Sequence, residues 1–195
     1  MSTNVSWQAA LDRLKEGNQR FQDDKLQHPK QDSARRGELT KSQDPFAIVL
    51  SCADSRVIPE VAFDTGLGEL FVARVAGNIA NTSTIASIEY AVAHLNAELI
   101  VVMGHEGCGA VGAALAGGDN GYNLNHLLCH LVPALEASES QAVNDVVKVN
   151  AKLTAEELKE RSKIIRESVA AGKTTIVPAY YNLGSGKVDF LLEEA

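Results

Sequence analysis

Two short, intensely apolar runs each end in a cluster of reactive polar residues, and this limits what the chain can fold into. Phe46-Ala47-Ile48-Val49-Leu50 leads into Cys52-Ala53-Asp54-Ser55-Arg56, and Leu99-Ile100-Val101-Val102-Met103 leads into His105-Glu106-Gly107-Cys108. Runs this short, with no polar face, predict buried parallel strands. Open α/β sheets take their ligands just beyond the carboxyl ends of the strands. Two thiols and an imidazole delivered there make three soft ligands and leave a fourth position open. That is the ligand count of a catalytic zinc site rather than a structural one.

The rest of the pattern builds a sheet around those runs. Trp7, Leu11, Leu14 and Phe21 share a helical stripe, so 6–24 is an amphipathic helix. The polar, aperiodic stretch from Lys25 to Asp44 that follows reads as an extended leash. The helix is then an arm, packed on a second subunit or on its own domain. Strands are expected at 46–51, 69–74 and 98–103, with a helix over 83–95 capped by Asn81 or Thr82. A helix opening near Cys108 should stop at Gly117-Gly118. Thr154-Ala155-Glu156-Glu157 has the form of a capping box and opens a helix to about Ala171, with Gly172 as its stop. Strands 174–180 and 187–192, around the turn Gly184-Ser185-Gly186, form a hairpin at a sheet edge. Segment 119–150 is helical and interrupted by Pro133. The class is α/β: about four parallel strands plus an antiparallel C-terminal edge strand, flanked by helices, with an N-terminal helical arm.

A chain of 195 residues, 45% hydrophobic, suits one domain over 1–195, divided into the arm (1–44) and the α/β core (45–195). Its net charge of −7 argues against a nucleic-acid partner, which needs a basic face. No apolar run approaches the roughly 20 residues that span a bilayer, so no membrane is expected. The polar start Met1-Ser2-Thr3-Asn4 lacks a signal-peptide pattern. Three cysteines are too few, and too odd a number, for a disulfide framework. A cytoplasmic location fits these features.

Other readings compete for the same residues. Free cysteines are usually buried small hydrophobes, but an apolar core does not accept Asp54, Arg56 and His105 converging on it. A Cys52–Cys108 disulfide leaves the imidazole and the carboxylate unexplained. Gly107-Cys-Gly109-Ala-Val-Gly112 satisfies the dinucleotide-binding glycine pattern. It lacks the strand-borne acidic residue expected about 20 positions on. His126, Cys129 and His130 have helical metal-ligand spacing without a fourth ligand nearby, and His94 is most simply a cation at a helix end.

Five ordered blocks complete the picture: Cys52–Val57, Gly68-Glu-Leu-Phe-Val72, Ala76-Gly-Asn78, Ser87-Ile-Glu-Tyr-Ala-Val92 and Gly104–Val111. Together they resemble the β-class carbonic anhydrases, and the likeness runs from Leu14 to Gly186. It implies a zinc enzyme, a carbonate dehydratase, that interconverts carbon dioxide and bicarbonate as a homodimer or a multiple of dimers. By residue matching, Cys52, His105 and Cys108 are the zinc ligands. Asp54 and Arg56 form the dyad that orients hydroxide generated at zinc. Gln43, Phe71, Ala76, Tyr90 and Gly109 belong to the substrate pocket. Relatives with the same fold and metal site hydrolyse carbonyl sulfide or carbon disulfide, which is the alternative activity.

Two points set this chain apart within the family. Val75 stands where the family carries Asn. One branch closes its site by placing the aspartate on zinc. It is stabilised by bicarbonate in a separate pocket of a tryptophan, an arginine and a tyrosine. Arg74 and Tyr181 match that pocket, but Val49 occupies the tryptophan position, and the only tryptophan, Trp7, lies in the arm helix. The resemblance is therefore to the plant-like branch with an open site. Asp54 would bind the metal only in a closed state.

Overall fold

The computed structural model describes residues 5–192. In chain order the elements are α1 (Trp7–Gln22), α2 (Ser33–Glu38), β1 (Ala47–Ser51), α3 (Pro59–Ala62), β2 (Leu70–Arg74), α4 (Thr82–His94) and β3 (Leu99–His105). They continue with α5 (Gly109–Ala116), α6 (Tyr122–Cys129), α7 (Val132–Ala137), α8 (Val143–Arg161), α9 (Lys163–Ala170), β4 (Thr175–Tyr181) and β5 (Val188–Phe190). The sheet runs β2-β1-β3-β4-β5. Its first four strands are parallel and β5 returns antiparallel to β4. This is the expected architecture, although the last strand pairs over fewer residues than 187–192.

Both faces of the sheet are covered, which explains the unbroken apolar runs. Val49, Val101 and Val177 point to one face, where α1 packs through Ala10, Leu11 and Leu14 together with Phe63. Ile48, Leu50, Ile100 and Val102 point to the other, beneath Ile85 and Ile88 of α4, Leu158 of α8 and Ile165 of α9. A third cluster gathers at the carboxyl ends of the strands, where Cys52 and Cys108 pack with Val111, Leu131, Val146, Val147 and Tyr180. The chain goes from β1 out to β2, then back across β1 to β3. The strand order therefore reverses between β1 and β3, the place where open α/β sheets open a crevice.

The leash corrects one expectation, because it is tied down, and of the two positions open to the arm α1 takes the one on its own core. Asn18, almost fully buried, donates to Ala62 O (3.0 Å) and Gly186 O (2.8 Å) and accepts from Val188 N (2.9 Å). Gly17 lies against Phe63, whose carbonyl oxygen would sit 1.9 Å from any added Cβ. The polar stretch is clamped by two buried carboxylates. Asp64 accepts from Arg20 Nε (2.6 Å), Gln27 N (3.1 Å) and His28 N (3.0 Å). Glu69 accepts from Arg13, from Lys30 Nζ (2.6 Å) and from Gly66 N (2.8 Å). Within it, α2 is capped by Asp32 Oδ1, which accepts from Arg35 N at 2.8 Å.

Thr154 corrects a second expectation, because it lies in the middle of α8 and opens nothing. Val146, Val147, Asn150, Ala151, Thr154, Ala155 and Leu158 form one buried stripe at helical spacing that passes straight through the presumed cap. The break comes at Ser162, whose side chain accepts from Ile165 N at 3.1 Å and starts α9. The helix at 82–94 is capped as expected, by Asn81 accepting from Thr84 N at 3.0 Å. Segment 119–150 is helical, with Pro133 in the first turn of α7, where its missing N–H costs nothing. Among the described residues no helix is long and apolar enough to cross a membrane.

Candidate metal centre

Cys52 follows β1 directly, His105 ends β3, and Cys108 precedes α5, so the switch point collects all three side chains. Their ligand atoms lie within 4.8 Å of one another and all three residues are buried. His105 Nδ1 is 2.9 Å from the carbonyl of Glu106. A carbonyl only accepts, so Nδ1 carries the hydrogen and Nε2 presents its lone pair. Nε2 is buried and lacks a hydrogen-bond partner among the described residues, a costly state for a polar atom unless a cation completes it.

The thiols point to the same need. Hydrogen bonding from the Cys108 thiol, helped by the amides of Asp54 and Gly77, overcomes burial and pushes the Cys52 thiol down to about 4. The same contact pushes the Cys108 thiol up, because a second thiolate would face the first with no positive charge between them. A divalent ion removes that conflict. The donor set fits zinc: two sulfurs, one nitrogen and room for a fourth ligand. All three cysteines are free, so the disulfide alternative is not realised. The dinucleotide alternative also lacks its context, since α5 is followed by α6 and α7 rather than by a strand.

Asp54 sits beside this cluster with Oδ2 3.9 Å from His105 Nε2. Arg56 grips it as a fork, Nε to Oδ1 at 2.9 Å and Nη2 to Oδ2 at 2.8 Å, and its backbone N adds a bond to Oδ1 at 2.9 Å. These bonds from Arg56 hold the Asp54 carboxyl well below the usual carboxylate range. Gly77, at φ 72°, turns its N–H onto Cys52 Sγ at 3.4 Å. A side chain would strain that backbone. Ala76 lies beside it, and Gly109 opens α5 next to Cys108.

Gln43, Phe71 and Tyr90 are not brought to the thiols within one chain. Gln43 precedes β1 and so lies at the amino end of the sheet. Phe71 pairs in register with Ile48, about 10 Å along β2 from Arg74 at the site end. The Tyr90 ring lies tilted against Phe71 at 6.3 Å and against His94 at 5.1 Å, half exposed beside the edge strand. His126 of α6 and His130, just past its end, lie edge to face at 5.7 Å. With Cys129 they do not converge as ligands among the described residues. Nor is the hollow of about 270 Å³ lined by Arg13, Lys30, Phe46 and Glu69 part of the site. It lies at the amino ends of β1 and β2.

Sequence reasoning missed the groups that hold the two loops. Arg74 donates to three carbonyls of the Cys52–Val57 segment. Asn144 Oδ1 accepts from Gly107 N (2.9 Å), Asn150 donates to Gly77 O (2.9 Å) and Glu106 Oε2 accepts from Leu183 N (2.9 Å). Val75 leaves no gap, because its N–H bonds Ser51 O at 3.1 Å and its carbonyl accepts from Asn78 N at 2.9 Å.

A family model described as carbonic anhydrase matches residues 47–188. A carbonic anhydrase of Mycolicibacterium smegmatis is 39% identical over 196 residues, covering 93% of this chain and 91% of that protein. Among solved structures, the Coccomyxa β-carbonic anhydrase bound to acetazolamide superposes with a TM-score of 0.75 at 26% identity, over 94% of this chain and 86% of that one. A tetrameric β-carbonic anhydrase of Sordaria macrospora shares the fold, with a TM-score of 0.73 at 24% identity over 95% of both chains. The match covers β1, β3, both thiols, the imidazole and the Asp54–Arg56 pair, and the chain belongs to the carbonic anhydrase family, in its β class.

Proposed function

We propose that this chain catalyses the reversible hydration of carbon dioxide to bicarbonate and a proton, with zinc held by Cys52, His105 and Cys108. The observation that carries this reading is the orphaned lone pair of His105 Nε2 among two thiols, beside a carboxylate already ionised and aimed. Bound zinc supplies Lewis acidity that makes hydroxide available near neutral pH. Two thiolates offset the charge of the ion, so the surrounding side chains carry more of the work. Asp54 Oδ2 accepts the hydrogen of the attacking oxygen and so orients its lone pair toward the carbon of the substrate. Arg56 keeps that carboxylate ionised and fixes its plane. Ala76 supports the apolar wall that a linear nonpolar gas requires. The test is metal content measured together with stopped-flow carbon dioxide hydration, with carbonyl sulfide run in parallel. One zinc per chain with hydration supports the reading, while carbonyl sulfide hydrolysis alone would replace it.

The smallest active unit is a homodimer. Gln43, Phe71 and Tyr90 sit on elements away from the thiols of their own chain, and as pocket residues they serve the site of a second copy. Sedimentation velocity and specific activity over one dilution series should fall together. An active monomer would refute this.

The site is open near neutral pH. Asp54 is committed to Arg56, and Arg74 gives Nε and Nη2 to backbone carbonyls. Val49, fully buried, offers no donor to an anion. Inhibition by bicarbonate should therefore be hyperbolic, with a Hill coefficient of about 1, as uncoupled sites give. Steep, cooperative inhibition would place the chain in the other branch.

A further inference from the structure

The segment from Cys52 to Val57 leaves β1 and carries both a thiol of the cluster and the Asp54–Arg56 pair, yet it has no ladder partner of its own. One side chain from the neighbouring strand ties down its backbone at three carbonyls. Arg74 Nε donates to Cys52 O at 3.0 Å, and Nη2 donates to Asp54 O at 2.7 Å and Val57 O at 2.8 Å. Arg74 ends β2 directly opposite Ser51, so the parallel register brings its guanidinium to the loop. Cys52 has other anchors, since it follows β1 and its sulfur accepts from the Asp54 and Gly77 amides. Among the described residues the Asp54 carboxylate takes its hydrogen bonds from within its own loop, from Arg56 two residues on.

We infer that Arg74 is a positioning residue for catalysis: its planar fork fixes the loop that aims Asp54 at the reacting oxygen. This rests on the assignment of Asp54 to the reaction. A lysine offers a point charge on a flexible stem and does not reproduce the fan of three bonds. Misplacing a reacting group by about 1 Å can cost roughly 10²-fold in rate.

The test uses zinc-loaded enzyme carrying Arg74→Lys, Arg74→Ala, Asp54→Asn, or Asp54→Asn with Arg74→Lys. Both Arg74 variants should keep one zinc per chain, with kcat down about 10- to 100-fold and KM within about twofold. Added to Asp54→Asn, Arg74→Lys should slow turnover by less than about twofold, because the group it positions is already gone. Arg74 variants with kcat within about twofold of the parent would overturn the inference. So would losses that multiply in the double variant, or loss of zinc or of the fold in both Arg74 variants. If Asp54→Asn itself is fully active, the assignment of Asp54 fails instead. A slow Asp54→Asn beside a fully active Arg74→Lys sinks the inference alone.

Discussion

Cys52→Ser and Cys108→Ser are expected to lose the metal, essentially all turnover and a large part of the stability. A serine hydroxyl does not ionise as a thiol does, and the ligand that zinc needs is the thiolate. The damage does not stop at the ion, because the thiols and His105 sit inside an apolar cluster with Val111, Leu131, Val146 and Val147. Without a cation, the remaining cysteine loses the charge that balances its thiolate, and the Nε2 lone pair is left without a hydrogen-bond partner among the described residues. A buried charge that loses its partner costs about 3–5 kcal/mol. For a chain of this size that lowers the melting temperature by roughly 10 °C. Metal analysis should find less than about one zinc per ten chains, given that ligand binding and folding are coupled. Cys129→Ser is the control: that thiol is exposed and outside the cluster, so metal content and turnover should stay at parental levels. If either ligand variant kept one zinc per chain and full activity, the ligand set would be wrong.

The part of this site that was legible in the sequence is the part written in contiguous residues. Cys52 and His105 each follow an apolar run, and the open-sheet rule places them together without any knowledge of packing. Arg56 was legible as the partner of Asp54 because two residues separate them on one loop. The clamps were not, because each joins segments far apart in the chain. Nothing in the polar stretch from Lys25 to Asp44 reveals that Asp64 and Glu69 will hold it, so it looked like a leash. The capping-box pattern at Thr154 misled for a related reason. Four residues cannot show whether a threonine faces solvent at a helix start or the core in mid-helix, and the buried stripe from Val146 to Leu158 decides it. The pocket residues are a different case. Phe71 and Tyr90 do meet, where α4 packs on the edge strand, away from the thiols of their own chain.

Asp54→Asn should separate holding the metal from using it. Asp54 is not one of the three residues whose ligand atoms converge, and its carboxylate is already satisfied by Arg56. The variant should therefore retain one zinc per chain and unfold close to the parent. What changes is the chemistry presented to the attacking oxygen. A carboxylate only accepts, so it fixes which way the hydrogen of that oxygen points. An amide can present its NH₂ group instead, which repels the hydrogen and leaves the lone pair misdirected. It also removes the negative charge that balances the Arg56 guanidinium beside the site. Losing a positioned proton acceptor costs typically 10²- to 10⁴-fold, so turnover should fall by at least about 10²-fold while zinc stays bound. Arg56 is more exposed than Asp54, and its fork can be replaced in part by water. Arg56→Ala should therefore lose less than Asp54→Asn, roughly 10-fold, through a carboxylate that is free but no longer aimed. An Asp54→Asn enzyme with parental turnover would remove this carboxylate from the reaction. If it lost its zinc instead, Asp54 would belong with the ligands.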